Sequence, residues 1–221
     1  FYYCLVPRFN HLVRQVPPDL VQHSAAEFDH LTETGLRELL QIPQDAPMHP
    51  SCIRQARLPF REGGLGLRDH TALAPAAYWS SWADTLPALH QRFPAVTAHV
   101  VGYLNTPLEA RTRETHALHA LEQARAALER DCPPLPSWDA MLAGTQPPLP
   151  PRARENDDAD PGEWEHGWQF YTSSALHSSS YAHMLQHANR PDQARLRSCR
   201  GRNNSRWLTA IPSTEALKLS N

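Results

Sequence analysis

The sequence predicts an all-α fold, and three observations support that prediction. Prolines divide the 221-residue chain into segments whose apolar positions recur at helical spacing. Two segments open with a helix-start signal that combines a side-chain cap, a proline and a glutamate. The glycine-rich stretch from Leu58 to Arg68 is the only place for a short strand pair. We therefore expect an irregular helical bundle with a glycine-rich loop or short strand pair, plus a separate C-terminal helical segment.

The first two helices are predicted over 2–16 and 18–41. Pro7 interrupts or offsets the first of them, and Pro43 ends the second, because proline suits a first helical turn but cannot continue a helix. The apolar positions with helical spacing in the second helix are Val21, Ala25, Phe28, Leu36 and Leu39.

The segment LPFREGGLGLR, residues 58–68, contains three glycines within four positions (Gly63, Gly64 and Gly66). Glycine loses the most backbone freedom on ordering, so this segment does not favour a helix. Leu65 and Leu67 alternate with small or charged residues, as in a short strand or a tight loop. A helix over 71–86 is predicted next, and Pro87 then turns the chain into a shorter helix ending near Phe93.

Two helix starts are predicted from capping signals. Thr106 to Glu109 forms the pattern of a capping box, and the helix behind it is expected to run to about Arg130. Asp160 to Glu163 repeats the signal ahead of a long helix. Tryptophans fall on helix faces that also hold Leu or Ala, which favours packing in the core over base stacking. They are Trp79, Trp82, Trp164 and Trp168.

A proline-rich and acidic stretch, residues 133–160, is the clearest predicted linker, because such stretches offer little apolar surface to bury. It divides the chain into a helical domain over 1–132 and a C-terminal helical segment with a basic end over 161–221. Its PPLPP run also resembles the ligands of proline-recognising domains, which leaves a protein-interaction module as an alternative function.

Charge and cysteine usage narrow the function classes. The formal net charge is −2, and 41% of the residues are hydrophobic, enough for a packed core. Arginine supplies nearly all the positive charge, since Lys218 is the only lysine. Guanidinium groups bind phosphate through two hydrogen bonds and stack on bases, so the excess of arginine over lysine favours a nucleic-acid partner. The alternative explanation of this excess is a GC-rich coding sequence. Four dispersed cysteines without a CxxC pair suit a reducing compartment.

We therefore expect an intracellular protein of the cytoplasm and nucleus, neither secreted nor held in a membrane. The opening run FYYCLV is too short for a signal peptide or a membrane span. The chain begins at Phe1 and ends in LKLSN, and we expect it to be part of a longer protein.

Enzymatic motifs are not found in the sequence, which contains no GxSxG, P-loop, GxGxxG or HExxH pattern. Asp157 and Asp158 lie in the acidic stretch, where no rigid hairpin would hold two metal ions. His116 with His119, and His183 with His187, have helical spacing but no evident third ligand. We predict no catalytic residue, no metal site and no cofactor; an enzyme with an unrecognised motif is a third function class.

Two arginine clusters are the candidate binding residues. Such clusters can follow a phosphate backbone and release its counterions, and the alternative is a solvated, charged helix end. The first cluster surrounds the glycine-rich segment and comprises Arg54, Arg57, Arg61 and Arg68. The second is densest at Arg195, Arg197, Arg200 and Arg202.

The order of these segments resembles a known family. LPFREGGLGLRD followed by APAAYWSSWAD is similar to the region just after the palm of reverse transcriptases from non-LTR (LINE-like) retrotransposons. YCLVPRFNHLVRQVPP resembles the helix with which the thumb of those enzymes begins, and ARLRSCRGRNNSRWLTAIPSTEALKLS is similar to a segment that precedes a cysteine/histidine knuckle. The likeness covers about the first 90 and the last 30 residues.

The family's palm motif, an aromatic residue, an alanine and two aspartates, is absent from this sequence, as are its endonuclease and CCHC motifs. The resemblance therefore implies a non-catalytic thumb and linker region that helps another part of a polyprotein to hold an RNA/DNA duplex. By that resemblance, residues 1–132 are a thumb-like domain in which Arg8, Arg14, Arg61 and Arg68 face the duplex backbone.

Overall fold

A computed structural model describes residues 6–43, 45–47, 49–107, 115–148 and 167–200. Within these ranges the chain is helical and contains no strand, which confirms the predicted all-α class. The α-helices are α1 (Val6–Gln15), α2 (Pro18–Leu39), α3 (Pro50–Arg57), α4 (His70–Arg92), α5 (Pro94–Asn105), α6 (His116–Leu128), α7 (Trp138–Leu142), α8 (Trp168–His187) and α9 (Arg190–Cys199), with a 3₁₀ turn at Phe60–Glu62.

Helix α4 is the central element, and α1, α2, α5, α6, α7 and α8 all pack against it. Its face carries the fully buried Trp79 and Leu86, which meet Leu121 and Leu128 of α6 in the main hydrophobic cluster. The Trp79 ring lies edge-on to that of Trp168, with centroids 5.5 Å apart. The predicted burial of these two tryptophans is confirmed.

The predicted turn at Pro87 is wrong, because α4 continues through this proline to Arg92. A proline inside a helix costs about 3 kcal/mol through its missing N–H and its ring. Ala83 and Leu86, in the turn that precedes Pro87, are buried in the core, and their packing holds the helical path up to the proline. The chain bends instead at Phe93, where φ is −136° and ψ is 62°, since the residue before Pro94 is driven out of the helical region.

Helix α5 was not predicted, and it changes the role of Thr106. This residue ends α5, and its hydroxyl donates a hydrogen bond of 2.7 Å to the carbonyl of Gly102. It therefore satisfies a carbonyl at the end of α5, and the next described helix, α6, begins at His116. The remainder of the predicted capping box, from Leu108 onwards, lies outside the described residues.

The first part of the predicted linker belongs to the bundle. Leu135, Trp138 and Met141 are buried in the main cluster, and Arg125 lies over the Trp138 ring at 4.9 Å. These apolar residues recur among the prolines and provide surface that the bundle buries. The stretch from 149 to 166, which includes most of PPLPP and the second predicted capping signal, lies outside the described residues.

Helix α8 is packed on the bundle and is not a separate segment. The backbone N–H of Trp168 donates to a carboxylate oxygen of Asp84 at 3.0 Å. One turn further on, the hydroxyls of Ser80 and Thr172 are hydrogen-bonded at 3.0 Å in the interior. These contacts place α8 along α4, so its next turns face the glycine-rich segment.

The N-terminus of α4 is held by Asp29, a carboxylate from α2 that is only 4% exposed. Asp29 accepts hydrogen bonds from the backbone N–H groups of His70 and Thr71, each at 2.9 Å, and from the Thr71 hydroxyl at 2.8 Å. The Nδ1 atom of His70 lies 3.1 Å from the same carboxylate. A negative charge at a helix N-terminus is favourable, so this contact fixes where α4 begins.

The glycine-rich segment folds back onto the end of α3. The N–H groups of Leu65 and Leu67 donate to the carbonyl of Ala56 at 3.1 and 3.2 Å, and that of Gly66 donates to Leu58 at 2.8 Å. A Cβ atom on Gly64 would lie 2.0 Å from the Leu58 carbonyl oxygen, so only glycine fits there. The segment is thus a compact loop, which presents Arg61 and Arg68 toward α8.

Candidate nucleic-acid interface

A cleft of about 470 Å³ lies between the glycine-rich loop and α8. We call it the basic cleft. Three of the predicted arginines line it together: Arg57 from the end of α3, and Arg61 and Arg68 from the glycine-rich segment. The polar residues that line it are Arg57, Arg61, Arg68, Asn10, Gln169, Ser173, Ser174 and His177.

Arg61 and Arg68 carry the uncompensated charge of the basic cleft. The Nη2 atom of Arg61 donates to the Ser174 hydroxyl at 2.7 Å, and its Cζ atom lies 5.0 Å from the Phe170 ring centroid. Neither contact neutralises the guanidinium. Arg68 has no hydrogen-bonding or ion-pair partner among the residues that the structure describes. Two positive charges therefore face one cavity that, in the described part of the chain, no carboxylate lines.

The positive charges of Arg61 and Arg68 affect the pKa of His177. Burial lowers the pKa of its imidazole, and the positive charges of Arg61 and Arg68 lower it further, to about 4. The ring is therefore neutral at pH 7 and can donate or accept one hydrogen bond in the cleft. A histidine whose pKa is lowered by two neighbouring cations marks a site that favours an anion.

Arg57 and Arg14 hold the walls of the cleft through ion pairs. Arg57 binds Asp69 at 2.7 Å, and Asp69 also caps α4 by accepting from the N–H of Ala72 at 2.9 Å. Arg14 contacts Asp84 at 3.3 Å and donates to the amide oxygen of Gln169. Their charges are balanced by these carboxylates, so they supply much less positive potential than Arg61 and Arg68.

The second arginine cluster is divided between paired and unpaired side chains. Arg200 binds the buried carboxylate of Glu62 at 2.7 Å and lies over the Tyr181 ring at 4.7 Å. The Nη2 atom of Arg200 also donates a hydrogen bond of 3.5 Å to the Oε1 atom of Glu62. Arg195 contacts Asp192 at 3.4 Å and Gln55 at 2.9 Å. The contacts of Arg195 with Gln55 and of Arg200 with Glu62 attach α9 to α3 and to the 3₁₀ turn.

The other predicted arginines are spread over the surface. Arg54 lies with Arg195 on a second cleft of about 340 Å³ between α3, α8 and α9. Arg8 and Arg197 are exposed, on α1 and α9, and line neither cleft. Arg202 lies outside the described residues. The structure therefore brings together three of the ten predicted residues in the basic cleft and two in the second.

The histidine pairs adopt local contacts. The rings of His183 and His187 are stacked with centroids 4.2 Å apart, and His116 lies 2.7 Å from Asp19. In the described ranges, no group of three or more His, Cys, Asp or Glu residues is arranged to hold a metal ion. None of the described helices is both long enough and apolar enough to cross a membrane.

Sequence reasoning missed His177, Asn10 and Gln169. Nothing in the sequence distinguishes His177 among thirteen histidines, because its environment is set by Arg61 and Arg68 across the cleft. Comparison of the chain with protein-family models, with curated proteins and with solved structures found no match.

Proposed function

We propose that this protein is a non-catalytic nucleic-acid-binding region that holds a duplex through the basic cleft and the arginines around it. The observation that carries the proposal is the pairing of Arg61 and Arg68 across one cavity, with the lowered pKa of His177 as its electrostatic signature. Uncompensated guanidiniums at a concave surface attract phosphate and release its counterions.

The sequence resemblance gives the proposal its context. The loop that presents Arg61 and Arg68 is the GGLGLR segment that resembles the region after the palm of LINE-like reverse transcriptases. In that role the chain would act as thumb and linker of a polyprotein and bind the primer–template or target duplex, while another region carries out the polymerisation. Phosphate contacts would fix the position of the duplex without reading its sequence.

The contacts of the described arginines separate them into two groups. Arg61 and Arg68 contact phosphates directly, and exposed Arg8, Arg54 and Arg197 add long-range attraction. The ion-paired arginines build the surface: Arg57 fixes the start of α4, and Arg200 attaches α9. We therefore expect substitutions of paired arginines to affect stability and those of unpaired arginines to affect binding.

A salt series tests the proposal. The affinity of the wild-type chain and of the Arg61→Gln/Arg68→Gln double variant for an RNA–DNA duplex is measured at several salt concentrations. Each lost phosphate contact should reduce the slope of log affinity against log salt by about 0.7–0.9. Glutamine keeps much of the aliphatic length, so circular dichroism should be unchanged.

Arg130→Gln is the matched control. Arg130 is exposed just after α6 and lines neither cleft. The substitution removes one positive charge where the double variant removes two, and it should leave the slope nearly unchanged. Equal slopes for the double variant and the control, or no measurable duplex binding by the wild-type chain, would contradict the proposed function.

A further inference from the structure

We infer that the basic cleft binds a terminal phosphate monoester of a nucleic-acid strand. The inference rests on the proposed function, because it assigns a substrate feature to the same site. It goes beyond that function in one respect: the proposed function has Arg61 and Arg68 contact phosphates of the duplex, and the inference is that the phosphate inside the cleft is the terminal one of a strand.

The size of the cavity excludes the body of a duplex. A volume of about 470 Å³ lies within the range of small-ligand sites and is far too small for a nucleic-acid helix. A terminal nucleotide can enter it. Four side chains provide apolar surface for the sugar and base of such a nucleotide, namely Pro59, Phe60, Leu73 and Phe170.

The charge of the cavity matches a monoester better than an internal phosphodiester. A phosphate monoester carries about −1.5 to −2 charges at pH 7, and a backbone phosphodiester carries one. Arg61 and Arg68 together supply two positive charges, with no carboxylate among the described residues that line the cavity. Two guanidiniums are thus balanced by one terminal phosphate.

Neutral groups complete the set of hydrogen-bonding partners. Gln169 is fixed because it accepts from Arg14 and donates to the Asn10 side-chain oxygen at 2.8 Å. Ser173 and Ser174 add hydroxyl groups on the α8 side. These groups line the same cavity as the two arginines, so a phosphate that enters it finds neutral hydrogen-bonding partners besides them.

His177 reports whether the cavity is occupied. Without a bound anion, burial and the positive charges of Arg61 and Arg68 lower the pKa of the His177 imidazole. A dianion between those arginines offsets their charge and stabilises the protonated ring, so the pKa of His177 rises. The other charged groups around this region are already paired: Arg57 with Asp69, Glu62 with Arg200, and Arg14 with Asp84.

The test compares one RNA–DNA duplex in three forms, with a 5′-phosphate, with a 3′-phosphate and with hydroxyls at all ends. One phosphorylated form should bind about tenfold more tightly than the hydroxyl form, because its terminal phosphate makes charge-assisted hydrogen bonds that a hydroxyl cannot make. Comparison of the two phosphorylated forms identifies which strand end fits. Equal affinity for all three forms overturns the inference and leaves the proposed function in place. Failure of all three to bind overturns both.

Two variants test whether the preference for a terminal phosphate arises in the basic cleft. Arg68→Gln should remove most of the tenfold preference, because Arg68 has no structural partner in the described part of the chain. Arg197→Gln is the control, since this exposed residue on α9 lies outside both clefts and should weaken all three forms equally. A preference that survives Arg68→Gln in a folded protein contradicts the inference.

The pKa of His177 provides a second test, in which phosphate binding is measured on the wild-type chain. The pKa of His177, assigned by comparison with the His177→Gln spectrum, is followed by NMR with and without methyl phosphate. We expect it to rise from about 4 by roughly one pH unit or more when methyl phosphate binds. An unchanged pKa at saturating methyl phosphate overturns the inference.

Discussion

Replacing Asp29 by alanine should destabilise the protein by about 4 kcal/mol. The carboxylate is 4% exposed and accepts two backbone and one hydroxyl hydrogen bond at 2.8–2.9 Å, with the His70 Nδ1 atom at 3.1 Å. A hydrogen bond to a charged group contributes about 1.5–3 kcal/mol, and several bonds to one carboxylate do not add fully. Removing the carboxylate leaves the backbone N–H groups of His70 and Thr71 without this partner, and a buried donor left unsatisfied costs about 1–3 kcal/mol.

The assay is urea unfolding followed by far-ultraviolet circular dichroism at pH 7. Glu27→Ala is the matched control, because Glu27 lies two residues away on the same helix with its side chain 69% exposed. It should change the free energy of unfolding by less than about 0.5 kcal/mol. A loss below about 1 kcal/mol for Asp29→Ala would refute the claim that Asp29 holds the start of α4.

The same residue gives stability a pH dependence. Burial raises the pKa of Asp29, but hydrogen bonds from the His70 and Thr71 side chains and backbone outweigh it, so the net pKa lies below the ordinary 3.8. The unfolded carboxyl therefore takes up a proton at higher pH than the folded one. The contribution of Asp29 is fully present above that ordinary value and decreases as the pH falls below it. The stability difference between wild type and Asp29→Asn should shrink in this acidic range.

Two glycine substitutions should act in opposite directions. Gly64→Ala should cost about 3 kcal/mol or more, because its Cβ would lie 2.0 Å from the Leu58 carbonyl oxygen, and thermal unfolding measures the loss. Gly102→Ala should stabilise by about 0.5–1 kcal/mol, because Gly102 is inside α5 with no atom within 4 Å of an added Cβ. Equal stabilities for the two variants would contradict the tight packing assigned to the loop.

Local signals in the sequence predicted the start of α2 and most of its buried face. The prolines at 17 and 18 mark its start, and Val21, Ala25 and Leu36 are buried as expected. Leu39, expected on the same face, is 70% exposed because the helix ends there. The buried stripe contains Asp29 instead, whose partners come from α4 and have no signature in the α2 sequence.

Signals at helix ends were less reliable, because tertiary contacts decide them. Pro87 stays inside α4, where Ala83 and Leu86 in the preceding turn are buried in the core, and Thr106 ends α5 with a hydrogen bond to the carbonyl of Gly102. Trp138 and Met141 join the core from a proline-rich stretch that local composition assigned to solvent.

The candidate site was predicted in part. The cluster around the glycine-rich loop was identified from its arginines, but the sequence did not distinguish paired from unpaired side chains. Arg57 is bound to Asp69, whereas Arg68 has no partner among the described residues, and both looked alike in the sequence. His177 was not predicted at all, because the packing of α8 on α4 brings it to the loop, and that packing has no signature in the sequence.

The most direct test of the central claim is NMR mapping of duplex binding on the ¹⁵N-labelled chain. Addition of an RNA–DNA duplex should shift the Nε–Hε signals of Arg61 and Arg68 and the ring signals of His177, and leave those of Arg130 unchanged. Binding that shifts other surfaces and leaves these three residues unaffected would contradict the account.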